Sequence, residues 1–140
     1  MSIALDTNVL VSALLRPVSP PGRVLDLVTT RMVDIALDER VLSEYRDVLL
    51  RSEFGFPPLF VHELLDFVWR YGCRTHAAPL TMMLPDADAA KFIEVAVGAG
   101  ASALVTGNLR HYPADQRHGV RVMTPREFLG AWADGLLEHH

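Results

Sequence analysis

Short apolar runs and longer stripes of helical spacing alternate along the chain. The first run, Ser2–Leu5, is continuously apolar, which is typical of a strand buried on both faces of a sheet. Apolar residues then recur on one helical face, at Val9, Leu10, Ala13 and Leu14. The sequence therefore predicts a strand, a polar break at residues 6–8 and a helix.

The same two patterns repeat to the end of the chain. Further strands are predicted at residues 33–37, 73–78, 102–106 and 120–123, and further helices near residues 24–30, 40–51, 60–72, 92–97 and 125–132. Strands that alternate with helices favour an α/β fold, in which helices cover both faces of a parallel sheet. Right-handed crossovers then bring the carboxyl ends of the strands to one edge, where Asp6, the loop at Asp38 and Asn108 are expected to meet.

Length and composition indicate one domain. A chain of 140 residues, of which 50% are hydrophobic, can bury a core without disulfides or a structural metal. We predict a single domain over residues 1–136, and we interpret residues 137–140 as the remnant of a polyhistidine expression tag. The single cysteine excludes an internal disulfide and suits a reducing compartment.

The charge of the chain limits the classes of partner. Removing Glu138 changes the formal net charge from −4 to −3, so the chain lacks the basic footprint of proteins that bind long nucleic acids. An acidic protein can still act on nucleic acid when its carboxylates hold a metal ion that meets the phosphate. No apolar run approaches the ~20 residues that span a bilayer. We therefore expect a cytoplasmic protein without a membrane partner.

Asp6 stands where a predicted strand ends and a predicted helix begins. In open α/β sheets, ligands bind in this crevice at the carboxyl ends of the strands, so Asp6 is a candidate binding residue. The alternative is that Asp6 only caps the helix, because Asp, Thr and Asn are all favoured at that position.

Three further acids are candidates for the same site. Glu44 lies at the boundary of the apolar face of its predicted helix, and the alternative is a solvated glutamate that pairs with Arg40. Asp86 and Asp88 directly precede a predicted helix, where the helix dipole and the open amide groups also favour acids as caps. The pattern alone leaves these alternatives open.

Five segments together resemble the PIN domain, and in particular the small bacterial PIN proteins that serve as toxin components of toxin–antitoxin systems. The segments are LDTNVLVSALL at residues 5–15, LSEYRDVL at 42–49, LPDADAAKFIEVA at 84–96, VTGNLRHYP at 105–113 and VMTPREFL at 122–129. Their order and spacing follow the family, and the resemblance covers residues 1–133. The first and fourth segments are specific when they occur together.

The resemblance implies a three-layer α/β/α fold with strand order 3-2-1-4-5, and acids at the carboxyl edge that hold Mg²⁺ or Mn²⁺ for cleavage of RNA. Asp6 would be a metal ligand, Glu44 a ligand or the group that orients water, and Asp86 and Asp88 the third contribution. Clustered carboxylates repel one another unless a hard cation lies among them, so the implied chemistry is physically consistent. Three further residues would orient these ligands by hydrogen bonds, namely Thr7, Asn8 and Thr106.

The chain departs from the family pattern at two positions. Many relatives have a second acid where Ala89 follows Asp88, and many have an aspartate where this chain has Asn108. Asparagine can donate its carbonyl oxygen to Mg²⁺, but it adds no charge and cannot serve as a base. The site is therefore expected to be weakened.

Two functions from different classes follow. The leading prediction is a metal-dependent endoribonuclease of the toxin class, with RNA as substrate and with an antitoxin protein and a second copy of the chain as further partners. The alternative is a catalytically weakened PIN module that binds RNA or a protein without cleavage, which Ala89 and Asn108 favour. A phosphatase of the haloacid dehalogenase type ranks below both, because it requires a second aspartate where Asn8 stands.

Overall fold

A computed structural model of the protein describes residues 1–137, and in this part of the chain five strands form one sheet. The strands are β1 (Ser2–Leu5), β2 (Asp34–Leu37), β3 (Cys73–Arg74), β4 (Ala103–Val105) and β5 (Val122–Met123). Neighbouring strands are all parallel, in the order β3-β2-β1-β4-β5. The predicted α/β fold and strand order are confirmed.

Six α-helices flank this sheet within residues 1–137: α1 (Thr7–Leu15), α2 (Pro20–Thr29), α3 (Glu39–Leu49), α4 (Pro58–Tyr71), α5 (Ala90–Ala99) and α6 (Pro125–Ala133). Helix α3 packs against α1, α4 and α5, and α2 packs against α1 and α6. Short 3-10 turns at Ala87–Ala89, Leu109–His111 and Ala114–Gln116 shape the loops. No helix within residues 1–137 is long and apolar enough to cross a membrane.

The two central strands anchor the carboxyl edge of the sheet. Ile3, Ala4 and Leu5 of β1 are 0% exposed, as are the three residues of β4 beside them. Truncating a buried leucine to alanine costs about 2–5 kcal/mol, so both strands are held firmly by the core. The core therefore fixes the positions of the residues that directly follow β1 and β4.

Helix α6 begins where its sequence signals predict. The Thr124 hydroxyl accepts a hydrogen bond from the Glu127 amide at 3.1 Å, and the Glu127 carboxylate accepts one from the Thr124 amide at 2.9 Å. Pro125 occupies the first turn, where its missing N–H costs nothing. This capping box fixes the start of the last helix.

Strand β3 is shorter than the predicted run of residues 73–78. It pairs only with β2, and the last ladder contact is a hydrogen bond from the Thr75 amide to the Leu37 carbonyl at 3.0 Å. Beyond Leu37 the neighbouring chain turns into α3, so no partner remains for residues 76–78.

The predicted domain boundary at residue 136 remains a prediction. Leu137, the first residue of the predicted tag remnant, is 3% exposed and packs against the core. Residues 138–140 lie outside the described residues.

Candidate functional site

Asp6 lies at the end of β1, at the junction with α1. Its amide donates to the Val105 carbonyl of β4 at 2.9 Å, and the residue is 7% exposed. The carboxylate makes no cap to α1. Its Oδ2 instead accepts hydrogen bonds from the Thr106 hydroxyl at 3.0 Å and the Tyr112 hydroxyl at 2.8 Å. The alternative in which Asp6 serves only as a helix cap is therefore wrong.

Tyr112 is a site residue that the sequence did not indicate. It is 0% exposed, and it follows the short turn Leu109–His111. Burial raises the pKa of the Tyr112 hydroxyl far above its ordinary value, and the charge of Asp6 and the hydrogen bond to it act in the same direction. The hydroxyl therefore stays protonated and donates to the carboxylate.

Tyr45 provides a second buried phenol near the same acids. Its hydroxyl donates to the Leu5 carbonyl at 2.6 Å, one residue before Asp6. Burial raises the pKa of Tyr45, and the negative charges of Asp6 and Glu44 raise it further. The negative charges of the same two carboxylates also raise the pKa of Tyr112.

Glu44 projects from α3 toward the start of α1. Its Oε2 accepts a hydrogen bond from the Thr7 hydroxyl, and its Oε1 lies 2.7 Å from the Lys91 ammonium. Arg40, which the sequence offered as a partner for Glu44, instead pairs with Asp38 at 2.8 Å and Glu94 at 2.7 Å. Glu44 is therefore paired with a cation of α5, Lys91, and not with a cation of its own helix.

Lys91 is a second site residue that the sequence did not indicate. It lies in the first turn of α5, and its ammonium donates to the Asp88 carbonyl at 2.6 Å as well as pairing with Glu44. Its side chain is 13% exposed. The only possible sequence signal is a lone lysine directly after the acidic stretch.

Asp86 and Asp88 are both exposed. Asp86 Oδ1 accepts a hydrogen bond from the Asp88 amide at 3.0 Å, so Asp86 caps the turn Ala87–Ala89, as its alternative interpretation predicted. Asp88, Glu44 and Lys91 line a surface cleft of about 500 Å³, and Asp86 is not among the lining residues. The structure thus brings Asp88 to the cleft beside Glu44, while Asp86 Oδ1 is engaged by its own turn.

Asn108 follows β4 and caps its own turn. Its Oδ1 accepts a hydrogen bond from the Arg110 amide at 3.1 Å, and its Nδ2 contacts His111 Nε2 at 3.1 Å. The backbone amide of Asn108 donates to the Thr106 hydroxyl at 3.1 Å, and that hydroxyl in turn donates to Asp6. Asn108 is therefore linked to Asp6 through Thr106. Its side-chain oxygen, Oδ1, already accepts the hydrogen bond from Arg110.

Asn8 ties α1 to the loop after β4. Its Oδ1 accepts a hydrogen bond from the Gly107 amide at 2.9 Å. A Cβ at residue 107 would lie 3.2 Å from the same oxygen, so a glycine there permits the close approach. Asn8 orients the loop that carries Thr106, and it does not contact an acid directly.

A divalent cation at this edge would be held by carboxylate oxygens. Among residues 1–137, no group of three or more His, Cys, Asp or Glu side chains is arranged to hold a metal ion. Asp6 Oδ1 nevertheless accepts no hydrogen bond from these residues, and Glu44 contacts Thr7, the residue that follows Asp6. Mg²⁺ is commonly held by one or two carboxylates, with waters and substrate phosphates completing its shell. The pair therefore fits a largely hydrated Mg²⁺ or Mn²⁺.

A second cleft, of about 560 Å³, lies at the ends of β2 and β3. Trp69, Arg74 and His76 are among its lining residues. The Arg74 guanidinium lies 5.4 Å from the centre of the Trp69 ring. This cleft presents an aromatic ring and a cation at the same sheet edge as Asp6.

Comparison with known proteins bears on the family. A family model described as PIN domain matches residues 2–110, which is more than half of the chain. No curated protein and no solved structure matches the chain. PIN domains in general have nuclease-type activity and depend on divalent metals. With its matched residues and its strand order, the chain belongs to the PIN domain family.

Proposed function

We propose that the protein is a metal-dependent endoribonuclease that serves as the toxin component of a toxin–antitoxin system. The observation that supports this most is the buried carboxylate of Asp6, which two hydroxyl groups hold at the carboxyl edge of the central strands beside Glu44. A buried carboxylate held in this way is suited to bind a cation at a fixed position.

Asp6 and Glu44 are the proposed ligands of Mg²⁺ or Mn²⁺. When bound, the cation would stabilise charge on the phosphate and lower the pKa of a water molecule. Thr106 and Tyr112 orient Asp6, and Thr7 orients Glu44. These hydrogen bonds reduce the freedom of the two carboxylates before any ligand arrives.

The proposed site also includes Asp88, Asp86 and Asn108, which have different roles. Asp88 lies at the rim beside Glu44, where its carboxylate can accept hydrogen bonds from waters. Asp86 and Asn108 hold the two loops in place through their caps, at Ala87–Ala89 and Leu109–His111. Asn8 supports the same arrangement through Gly107.

RNA is the proposed substrate. An acidic edge needs nearby cations to accept a polyanion, and Arg74 supplies positive charge in the cleft beside Trp69. Unpaired bases stack on aromatic rings and guanidinium planes, so Trp69 and Arg74 suit a single-stranded segment. We further propose a cytoplasmic location, a cognate antitoxin as protein partner and a homodimer.

A second candidate is a PIN module that binds RNA or a protein without cutting. Two observations favour it: the amide oxygen of Asn108 is engaged by its own turn, and Lys91 already pairs with Glu44. The first engages a neutral oxygen that a metal would otherwise use, and the second offsets the negative charge of Glu44.

Incubation of labelled single-stranded RNA with the protein tests the proposal. Cleavage is expected in Mn²⁺, none in a chelator, and none with Asp6→Asn. Asp66→Asn, which changes an exposed acid on α4, is the matched control and should cleave normally. Binding of RNA without cleavage in saturating Mn²⁺ would favour the second candidate, and cleavage by Asp6→Asn would contradict the proposed site.

A further inference from the structure

Lys91 is the only lysine in the sequence, and its ammonium faces an acid rather than solvent. The side chain is 13% exposed, and the ammonium contacts Glu44 Oε1 at 2.7 Å and the Asp88 carbonyl at 2.6 Å. A cation in the first turn of a helix opposes the helix dipole, so α5 does not favour this position by itself. The partner that offsets this cost is Glu44.

Lys91 is the counter-ion of Glu44, whereas Asp6 is held by hydroxyl groups. Within residues 1–137, the Asp6 carboxylate accepts hydrogen bonds from hydroxyl groups, those of Thr106 and Tyr112. Glu44 contacts the Thr7 hydroxyl and Lys91. In the described chain, the ammonium of Lys91 is thus the only cation in contact with either carboxylate.

We propose that Lys91 occupies the cation position at Glu44 in the metal-free protein, and that a divalent metal and Lys91 are alternative partners of this carboxylate. The inference rests on the proposed function, because it concerns the same metal. Both oxygens of Glu44 are engaged, Oε2 by Thr7 and Oε1 by Lys91, so a metal bound at 2.0–2.1 Å to either oxygen would lie close to the ammonium, and the two positive charges repel each other. Lys91 therefore lowers the affinity for metal and must leave Glu44 when metal binds.

The ion pair between Arg40 and Glu94 has the same length as the pair between Lys91 and Glu44, but its role is structural. Arg40 contacts Glu94 at 2.7 Å, and the other oxygen of Glu94 accepts a hydrogen bond from the Leu80 amide at 2.8 Å. This pair fastens the loop before α5 to α3. Arg40→Gln removes a cation near the site without touching Asp6 or Glu44, so it is the matched control for Lys91.

Calorimetric titration with Mn²⁺ tests the competition. Lys91→Met is expected to bind Mn²⁺ about tenfold more tightly than the wild type, which corresponds to about 1.4 kcal/mol. Lys91→Arg should stay near the wild type because it keeps the charge, and Arg40→Gln should change the affinity by less than about twofold. Equal or weaker binding by Lys91→Met overturns the inference and leaves the metal site intact. If neither wild type nor Lys91→Met binds Mn²⁺, the inference and the proposed metal site both fail.

A measurement on the wild-type chain does not depend on the folding of a variant. Protein labelled with ¹⁵N-lysine gives one side-chain ammonium signal, because Lys91 is the only lysine. Saturating Mg²⁺ should move this signal to the position that it has in metal-free Glu44→Gln, where the ion pair is already broken. An ammonium signal that stays in place while Mg²⁺ binds would show that Lys91 does not yield to metal.

Discussion

Replacing Tyr112 with phenylalanine removes one hydroxyl and keeps the ring that fills the core. The hydroxyl donates at 2.8 Å to Asp6 Oδ2, and both residues are buried. Hydrogen bonds to charged groups contribute about 1.5–3 kcal/mol, and the carboxylate keeps its second donor, Thr106. We therefore expect Tyr112→Phe to lose about 2 kcal/mol of unfolding free energy at pH 7.

Tyr45→Phe is the matched control for this substitution. Tyr45 is equally buried, but its hydroxyl donates to the neutral carbonyl of Leu5. The net contribution of a hydrogen bond between neutral groups is about 1 kcal/mol, so the control should lose less stability. Urea unfolding followed by circular dichroism measures both losses on the same scale.

The two variants should differ more clearly in metal binding. Removing a hydrogen-bond partner of a metal ligand typically weakens metal affinity by about 10–100-fold, so Tyr112→Phe should bind Mn²⁺ at least about tenfold more weakly. Tyr45→Phe should bind it normally. If Tyr112→Phe matches the wild type in both unfolding free energy and Mn²⁺ affinity, Tyr112 does not position Asp6 and the reasoning is refuted.

Three further predictions concern pH, the fourth strand and RNA. The raised pKa values of Tyr45 and Tyr112 mean that the folded protein keeps two protons that the unfolded chain releases above its ordinary tyrosine pKa of 10.0. Stability should be complete below that pH and should fall above it by about 1.4 kcal/mol per pH unit for each tyrosine; a flat unfolding free energy between pH 10 and 11 would contradict this. Asn108→Asp keeps a cap acceptor for the Arg110 amide and adds a charge near Asp6, so it should tighten Mn²⁺ binding, lower the stability of the metal-free protein and raise RNA cleavage, where a tenfold gain corresponds to about 1.4 kcal/mol of barrier. Unchanged cleavage at saturating Mn²⁺ would favour the binding module. Arg74→Gln should weaken binding of a short RNA in a chelator, measured by fluorescence anisotropy, while Arg126→Gln on α6 should not; equal affinities would exclude the Trp69 cleft from the RNA path.

The strands were accessible from the sequence because apolar runs of different period are local signals, whereas their order came from the resemblance to the PIN domain. β1 is a short apolar run that is followed directly by α1. This junction indicated from the sequence that Asp6 lies at the edge of the sheet. The start of α6 was accessible for a related reason, since Thr124, Pro125 and Glu127 carry their cap within four residues. The pattern placed Glu44 on the boundary of an apolar stripe, and the resemblance to the PIN domain made it a site candidate.

The partners of these acids were not accessible in the same way. Tyr112 lies 106 residues from Asp6 along the chain, and a 3-10 turn without periodic pattern places it. Lys91 reaches Glu44 from another helix, and no propensity favours a lysine at the start of α5. For Asp86 the sequence left ligand and cap open, and the hydrogen bond from the Asp88 amide shows the cap. Such choices depend on loop conformation, which local pattern does not encode.

The central claim is that Asp6 binds a catalytic metal at the edge of the sheet. Calorimetric titration of Mn²⁺ into wild type and Asp6→Asn tests it most directly, with circular dichroism as the check on folding. Asparagine keeps an acceptor oxygen for Thr106 and Tyr112, so the fold should persist. The account predicts Mn²⁺ binding by the wild type and its loss in a folded Asp6→Asn. Unchanged Mn²⁺ affinity in folded Asp6→Asn would contradict the claim.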